Sequence, residues 1–238
     1  MNTEHQARLI VALDDDRLGP ILQLVDQLDP VLCRLKVGKQ AFTRLGPDLI
    51  QQLHQRGFQV FLDLKFHDIP NTVAAAVAAA ADLGVWMTNV HAMGGARMMQ
   101  AAVEAAQRSN PQMHLIAVTV LTSHAEGELA FLGEQTNAML VERLTHLALS
   151  SGMAGVVCSA QEAQALRHAH GERPLLVTPG IRPASSPATD QRRVMTPAQA
   201  MAAGADYLVV GRPVTQSDNP CRTVLTINEE ISHSQQLG

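Results

Sequence analysis

Aromatic side chains are scarce. They fill 3% of the 238 positions, with one Trp and one Tyr. Stacking platforms for single-stranded nucleic acid are therefore missing. The core has to be Leu, Val, Ile, Ala and Met, with the ten Met serving as filler. Basic blocks are missing too: net charge is −4, the pI is about 6.2, and no Lys/Arg run occurs. That argues against nucleic acid as a partner. The longest apolar run, Val73 to Ala81, is far short of the roughly 20 residues of a membrane span, so no membrane partner is expected. The opening residues Met1-Asn-Thr-Glu-His-Gln-Ala7 show no signal-peptide core. Cysteines are few: Cys33, Cys158 and Cys221, odd in number, far apart and without metal-ligand grouping. They read as reduced thiols, and the expected location is cytoplasmic.

What is present is alternation. Arg8-Leu-Ile-Val-Ala-Leu-Asp14 reads as a strand, followed by a helix over 18–28. Cys33-Arg-Leu-Lys-Val-Gly38 is the second strand, then a helix ending near Arg56-Gly57. A third strand opens at Val60, and a fourth is Trp86-Met-Thr-Asn-Val-His91. The fifth spans His114 to Thr122 and the sixth Gly155 to Ser159. Pro174 to Pro179 and Tyr207 to Gly211 make the seventh and eighth. Helices over 137–150, 161–169 and 197–203 fill the gaps. Continuous apolar strands separated by helices mean a parallel sheet covered on its outside. Eight such units in one chain predict a single (β/α)8 TIM barrel of the α/β class over 1–238, with a core of about 8–231. An open doubly wound sheet is the alternative. Against it, Asp14-Asp-Asp-Arg17 follows the first strand where a Gly-x-Gly-x-x-Gly would stand.

One stretch departs from the apolar rule. In Phe61-Leu-Asp-Leu-Lys-Phe-His-Asp-Ile-Pro-Asn-Thr72, three charges fall within six residues, Asp63 to Asp68. Alternation sends Asp63 and Lys65 to the same face, about 7 Å apart at the backbone. Buried charges are costly unless paired. A structural ion pair plugging the barrel mouth is one reading. The other is a catalytic lysine held protonated between two carboxylates, Asp63 and Asp68.

Polar residues also gather where a barrel keeps its active site, at the carboxyl ends of the strands. Asp14, Lys36, Asp63, Lys65, His91, Thr122, Ser159, Thr178 and Arg212 all fall near such ends. Among them His91 and Ser159 read as supporting rather than catalytic. His67, inside the charged stretch, reads as structural. Asp15 and Asp16 read as caps for the first helix. Gly211-Arg212 after the last strand suits a phosphate, since glycine admits a close backbone N–H and arginine offers a fork of donors. Thr178-Pro-Gly-Ile-Arg182 precedes a long loop rich in Pro, Ser and Ala, from which Arg182 and Gln191 could close over that phosphate. No Ser sits in a Gly-x-Ser-x-Gly turn, so a hydrolase triad has no support.

These residues resemble the orotidine 5′-phosphate decarboxylase family, in its bacterial form, from Leu9 to about Pro220. The resemblance rests on Val11-Ala-Leu-Asp14, Leu35-Lys-Val-Gly38, Asp63 to Thr72, Val118 to Thr122, Thr178 to Arg182, Asp190-Gln-Arg-Arg193 and Val210-Gly-Arg-Pro213. It implies decarboxylation of orotidine 5′-monophosphate to UMP and CO2 in pyrimidine synthesis, with no metal and no organic cofactor. Lys65 would protonate C6 of the ring, and Asp63 and Asp68 would keep it charged. Lys36 would extend the network and, with Asp14, touch the ribose. Thr122 would bind the pyrimidine, and Arg182, Gln191, Gly211 and Arg212 the phosphate. The resemblance further implies a homodimer, with Asp68 and Thr72 reaching the neighbouring site.

Three rival readings remain at this point. A Mg-dependent sugar-phosphate decarboxylase or aldolase shares Asp-x-Lys-x-x-Asp but not the Ile69-Pro-Asn-Thr72 continuation. A catalytically silent nucleotide-binding relative would have no use for so costly a charge set. A phosphosugar isomerase would need a Glu/Cys acid–base pair.

Overall fold

The computed structural model describes residues 7–133, 136–183 and 195–234. Their elements begin with β1 (Leu9–Leu13), α1 (Leu18–Val25), β2 (Arg34–Gly38), α2 (Lys39–Leu45), α3 (Pro47–Gln55) and β3 (Val60–Phe66). There follow α4 (Pro70–Asp82), β4 (Met87–His91), α5 (Gly95–Ser109), β5 (His114–Val118), α6 (Asn137–Ser150) and β6 (Gly155–Val157). Last come α7 (Ala160–His170), β7 (Leu175–Thr178), α8 (Pro197–Ala202), β8 (Tyr207–Val210), α9 (Arg212–Thr215) and α10 (Pro220–Ser234). The strands pair in parallel in chain order, and β8 pairs back onto β1. The sheet is thus a closed barrel with helical crossovers outside, as the alternation predicts.

Alternation along each strand sorts the core into two layers. Leu9, Val11, Leu13, Leu35, Val37 and Leu62 face outward, under the helices. Ile10, Ala12, Phe61, Met87, Ile116 and Val209 fill the barrel itself. Arg34 plugs the amino-terminal end. Its guanidinium lies 4.2 Å from the centre of the Trp86 ring and 5.3 Å from that of Tyr207. Its Nε donates to Gln59 Oε1 at 2.7 Å, and it also donates to the Ala7 carbonyl. The sole Trp and Tyr are therefore committed to closing the barrel bottom, leaving the carboxyl end for polar groups.

Some element boundaries differ from expectation. The helix expected to run to Arg56 is two, α2 and α3. Gly46 breaks it at φ +66°, where a side chain would be strained, and Pro47 restarts it. β5 ends at Val118 rather than Thr122, and β6 at Val157 rather than Ser159. The Thr119 and Cys158 N–H groups still donate to the Val157 and Val177 carbonyls, and the residues beyond them become loop or helix cap. Residues 184–194, which include Gln191 and most of the expected closing loop, lie outside the described residues.

Candidate active site

At its carboxyl end β3 departs from regular pairing. From Leu62 to Phe66 it advances four residues while β4 advances two, from Thr88 to Val90. Lys65 sits in this bulge at φ +52°, the only non-glycine residue at positive φ among the described residues. That conformation costs roughly 1–2 kcal/mol. The Lys65 N–H donates to Asn89 Oδ1 at 2.7 Å.

The bulge places the charges. Asp63 is 8% exposed. Its Oδ1 accepts from Lys65 Nζ at 2.6 Å and from Asn89 Nδ2 at 2.7 Å, and its Oδ2 lies 3.2 Å from Lys36 Nζ. Burial alone would raise the Asp63 pKa. The charges of Lys36 and Lys65, with the hydrogen bonds from Lys65 and Asn89, outweigh burial and hold it below the usual carboxyl range. Lys36 Nζ is in turn 4.0 Å from Asp14 Oδ1. A line of alternating charge, Asp14, Lys36, Asp63, Lys65, thus crosses the ends of three adjacent strands.

That line forms one wall of a cavity of about 300 Å³. The facing walls are apolar, with Val118, Val120, Leu121, Val157, Val177 and Val209. Thr122, Ser123, Arg182, Gly211 and Arg212 complete the lining. A Cβ on Gly211 would lie 3.0 Å from Asp14 Oδ2, so a bare backbone is what lets β8 end this close to the charged wall. A second cavity of about 250 Å³ shares Asp14, Lys36, Asp63 and Lys65 with the first and adds Lys39 and Gln40. The charged line therefore separates two spaces.

Of the expected site residues, Asp14, Lys36, Asp63, Lys65, Thr122, Arg182, Gly211 and Arg212 meet at the first cavity. Asp68 and Thr72 do not line it within this chain. Asp68 is exposed, accepts from the Ile69 N–H at 2.6 Å, and makes no ion pair with Lys65. The lysine is thus paired with one carboxylate of its own chain, not held between two. Gln191 lies outside the described residues.

Three members of the expected polar ring stay out of the cavity. Ser159 caps α7, in a reciprocal box with Glu162. Thr178 Oγ1 donates to the Tyr207 carbonyl at 3.4 Å. His91 stacks on His67, ring centres 5.5 Å apart. Its Nδ1 is buried without a hydrogen-bond partner among the described residues, and burial, with His67 and nearby Lys39, Lys65 and His124, lowers its pKa to about 4. Asp15 does not cap α1; it clasps Arg17 at 2.8 Å. Asn89 and Ser123 escaped the sequence reading. An uncharged amide in an apolar strand is a faint signal, and Ser123 lies just past what reads as the end of a strand.

Among the described residues, no three His, Cys, Asp or Glu side chains group as metal ligands. The family model described as orotidine 5′-phosphate decarboxylase / HUMPS matches residues 7–227. The chain belongs to that family. The matched span holds every residue of the charged line and of the Gly211-Arg212 pair, and it bears out the resemblance read from Asp63 to Thr72. An orotidine 5′-phosphate decarboxylase from Chromohalobacter salexigens is 58% identical over 98% of this chain and 99% of its own. One from Escherichia fergusonii is 59% identical over 94% of this chain and 92% of its own. Among solved structures, orotidine 5′-phosphate decarboxylase from Lactobacillus acidophilus superposes with a TM-score of 0.85 at 36% identity, covering 95% of this chain and 99% of that one. The barrel is the family's fold.

Proposed function

We propose that this protein decarboxylates orotidine 5′-monophosphate to UMP and CO2 in pyrimidine synthesis, with Lys65 as the proton donor. The observation that carries the reading is Lys65 Nζ, 2.6 Å from a buried carboxylate on the wall of a cavity that ends in Gly211-Arg212. The names of relatives 58% and 59% identical support it. The phosphate goes to Arg182, Gly211 and Arg212, with Gln191 closing over it. The ribose hydroxyls meet Asp14 and Lys36. The pyrimidine lies against Thr122 and the valine wall, with C6 towards Lys65 and its carboxylate beside Asp63.

The chemistry follows from that placement. The bond from C6 to the carboxylate breaks, CO2 leaves, and the electron pair stays in the ring plane at C6. No organic electron sink receives it, so the stabilisation has to be electrostatic. Lys65 then gives its Nζ proton to C6, forming UMP, and regains one from water. At an effective dielectric constant of ~20, opposite charges ~4 Å apart gain about 4 kcal/mol, or roughly three decades of rate. Typical enzymatic accelerations need about 8–23 kcal/mol, so one cation does not suffice. The remainder comes from a dry, preorganised network and from remote phosphate binding that assembles it.

The proposed catalytic unit is a cytoplasmic homodimer. Asp68 and Thr72 are exposed on their own chain, beside Ile69 at 66% exposure. The second cavity, behind the charged line, offers space for that segment of a partner copy. Purified protein with excess EDTA should change the absorbance of orotidine 5′-monophosphate as the conjugated carboxylate is lost, and release CO2. No change in that assay, with Mg²⁺-dependent turnover of a sugar phosphate, would favour the rival sugar-phosphate reading instead.

A further inference from the structure

We infer that Asn89, which lies outside the cavity wall, is a positioning residue: its amide bridges the bulge of β3 and fixes both the Lys65 backbone and the Asp63 carboxylate. The inference rests on the roles proposed above for those two residues.

Asn89 is fully buried, at 0% exposure, on the inward face of β4 two residues beyond Met87. An amide there is costly in an apolar barrel unless its hydrogen bonds are made. Each end makes one: Oδ1 accepts from the Lys65 N–H and Nδ2 donates to Asp63 Oδ1, each at 2.7 Å. The orientation of the amide is not arbitrary. A backbone N–H only donates and an ionised carboxylate only accepts, so Oδ1 must face Lys65 and Nδ2 must face Asp63. The bulge removes the ladder partner of Lys65, whose N–H would otherwise be orphaned at a cost of about 1–3 kcal/mol. Asn89 replaces that partner with a side chain and so supports the one strained residue in the site. Its other end pulls Asp63 Oδ1 to where Lys65 Nζ also binds it. Asn is the shortest side chain with an acceptor and a donor on one plane. Asp has no donor, Ser cannot span the two partners, and Val or Leu would leave both unsatisfied.

The charged and titratable groups around this bridge are Asp14 and Lys36 beyond Asp63, Lys65 on β3, and His91 at the end of β4, which is neutral at ordinary pH. Into that setting Asn89→Asp would put a second carboxylate against Asp63. Two carboxylates so close share a proton rather than both ionise.

Asn89→Asp and Asn89→Ala test the inference through kcat as a function of pH, UMP affinity and melting temperature. We expect kcat at neutral pH to fall roughly 100-fold in both, the scale of a misplacement of ~1 Å. UMP, held by phosphate and ribose contacts that Asn89 does not touch, should bind within about threefold of wild type. The acid limb of the kcat profile should move up towards neutral pH in Asn89→Asp and stay in place in Asn89→Ala. The inference is overturned if both variants keep kcat within about threefold of wild type, or if kcat and UMP affinity fall in step. Should Asn89→Ala fail to fold, the near-isosteric Asn89→Asp decides: an unmoved acid limb overturns the inference. Lys65→Ala separates the two levels. If it is dead while the Asn89 variants behave as wild type, only this inference fails; if it still decarboxylates, the role proposed above for Lys65 fails.

Discussion

An ammonium and a carboxylate 2.6 Å apart, with the carboxylate 8% exposed, make an arrangement that folding alone would not favour. A well-packed apolar pair of similar volume is often as stable or more so. The set was legible in the sequence because Asp63 and Lys65 interrupt an apolar strand, and alternation puts them on one face. What was not legible is how the lysine reaches its place. The bond from Lys65 to Asn89 spans 24 residues, and no local pattern announces it. His91 is a second residue whose role depends on tertiary surroundings. Its pKa of about 4 when folded lies below the ~6.5 of an unfolded chain. Between those values the unfolded chain binds more protons, so stability is full above about pH 6.5 and declines as pH falls towards 4. Burial also lowers the pKa of His54 and His114, so His91→Gln should reduce the dependence of melting temperature on pH in that window without abolishing it. Calorimetric scans of both proteins across the window check this; identical slopes would show that His91 does not titrate as described.

Elements were read well where their chemistry is local. Strand cores, the helix over 137–150 and the parallel order follow from apolar runs and spacing. Strand ends were read less well, because Val120 and Leu121 are apolar for the sake of the cavity they line, not of the sheet. Ser159 shows the converse error. Its place after β6 suggested the polar ring, yet the hydroxyl accepts the Gln161 N–H at 3.3 Å and starts α7. Ser159→Ala should therefore cost about 1 kcal/mol of stability, as lost caps do. Decarboxylation should be unchanged in kcat and KM. Denaturant unfolding and an activity assay on the same preparation test it. A tenfold fall in kcat at unchanged stability would return Ser159 to the site.

At the scale of the whole molecule, the barrel divides its labour between its ends. Arg34, Trp86 and Tyr207 seal one; charge and cavity occupy the other. The proposed sharing of the active site between two copies predicts complementation. Lys65→Ala and Asp68→Ala homodimers should each be inactive. If subunits reassort at random, half the dimers are mixed and each mixed dimer holds one intact site of two, giving about a quarter of wild-type activity. No recovery in verified mixed dimers would place Asp68 outside the neighbouring site. The proposed chemistry turns on a single amine. The most direct measurement is single-turnover decarboxylation of orotidine 5′-monophosphate by Lys65→Ala, alongside UMP binding by the same protein. The account predicts no detectable UMP formation, with nucleotide still bound through the phosphate grip. Substantial decarboxylation by a protein without that amine would contradict it.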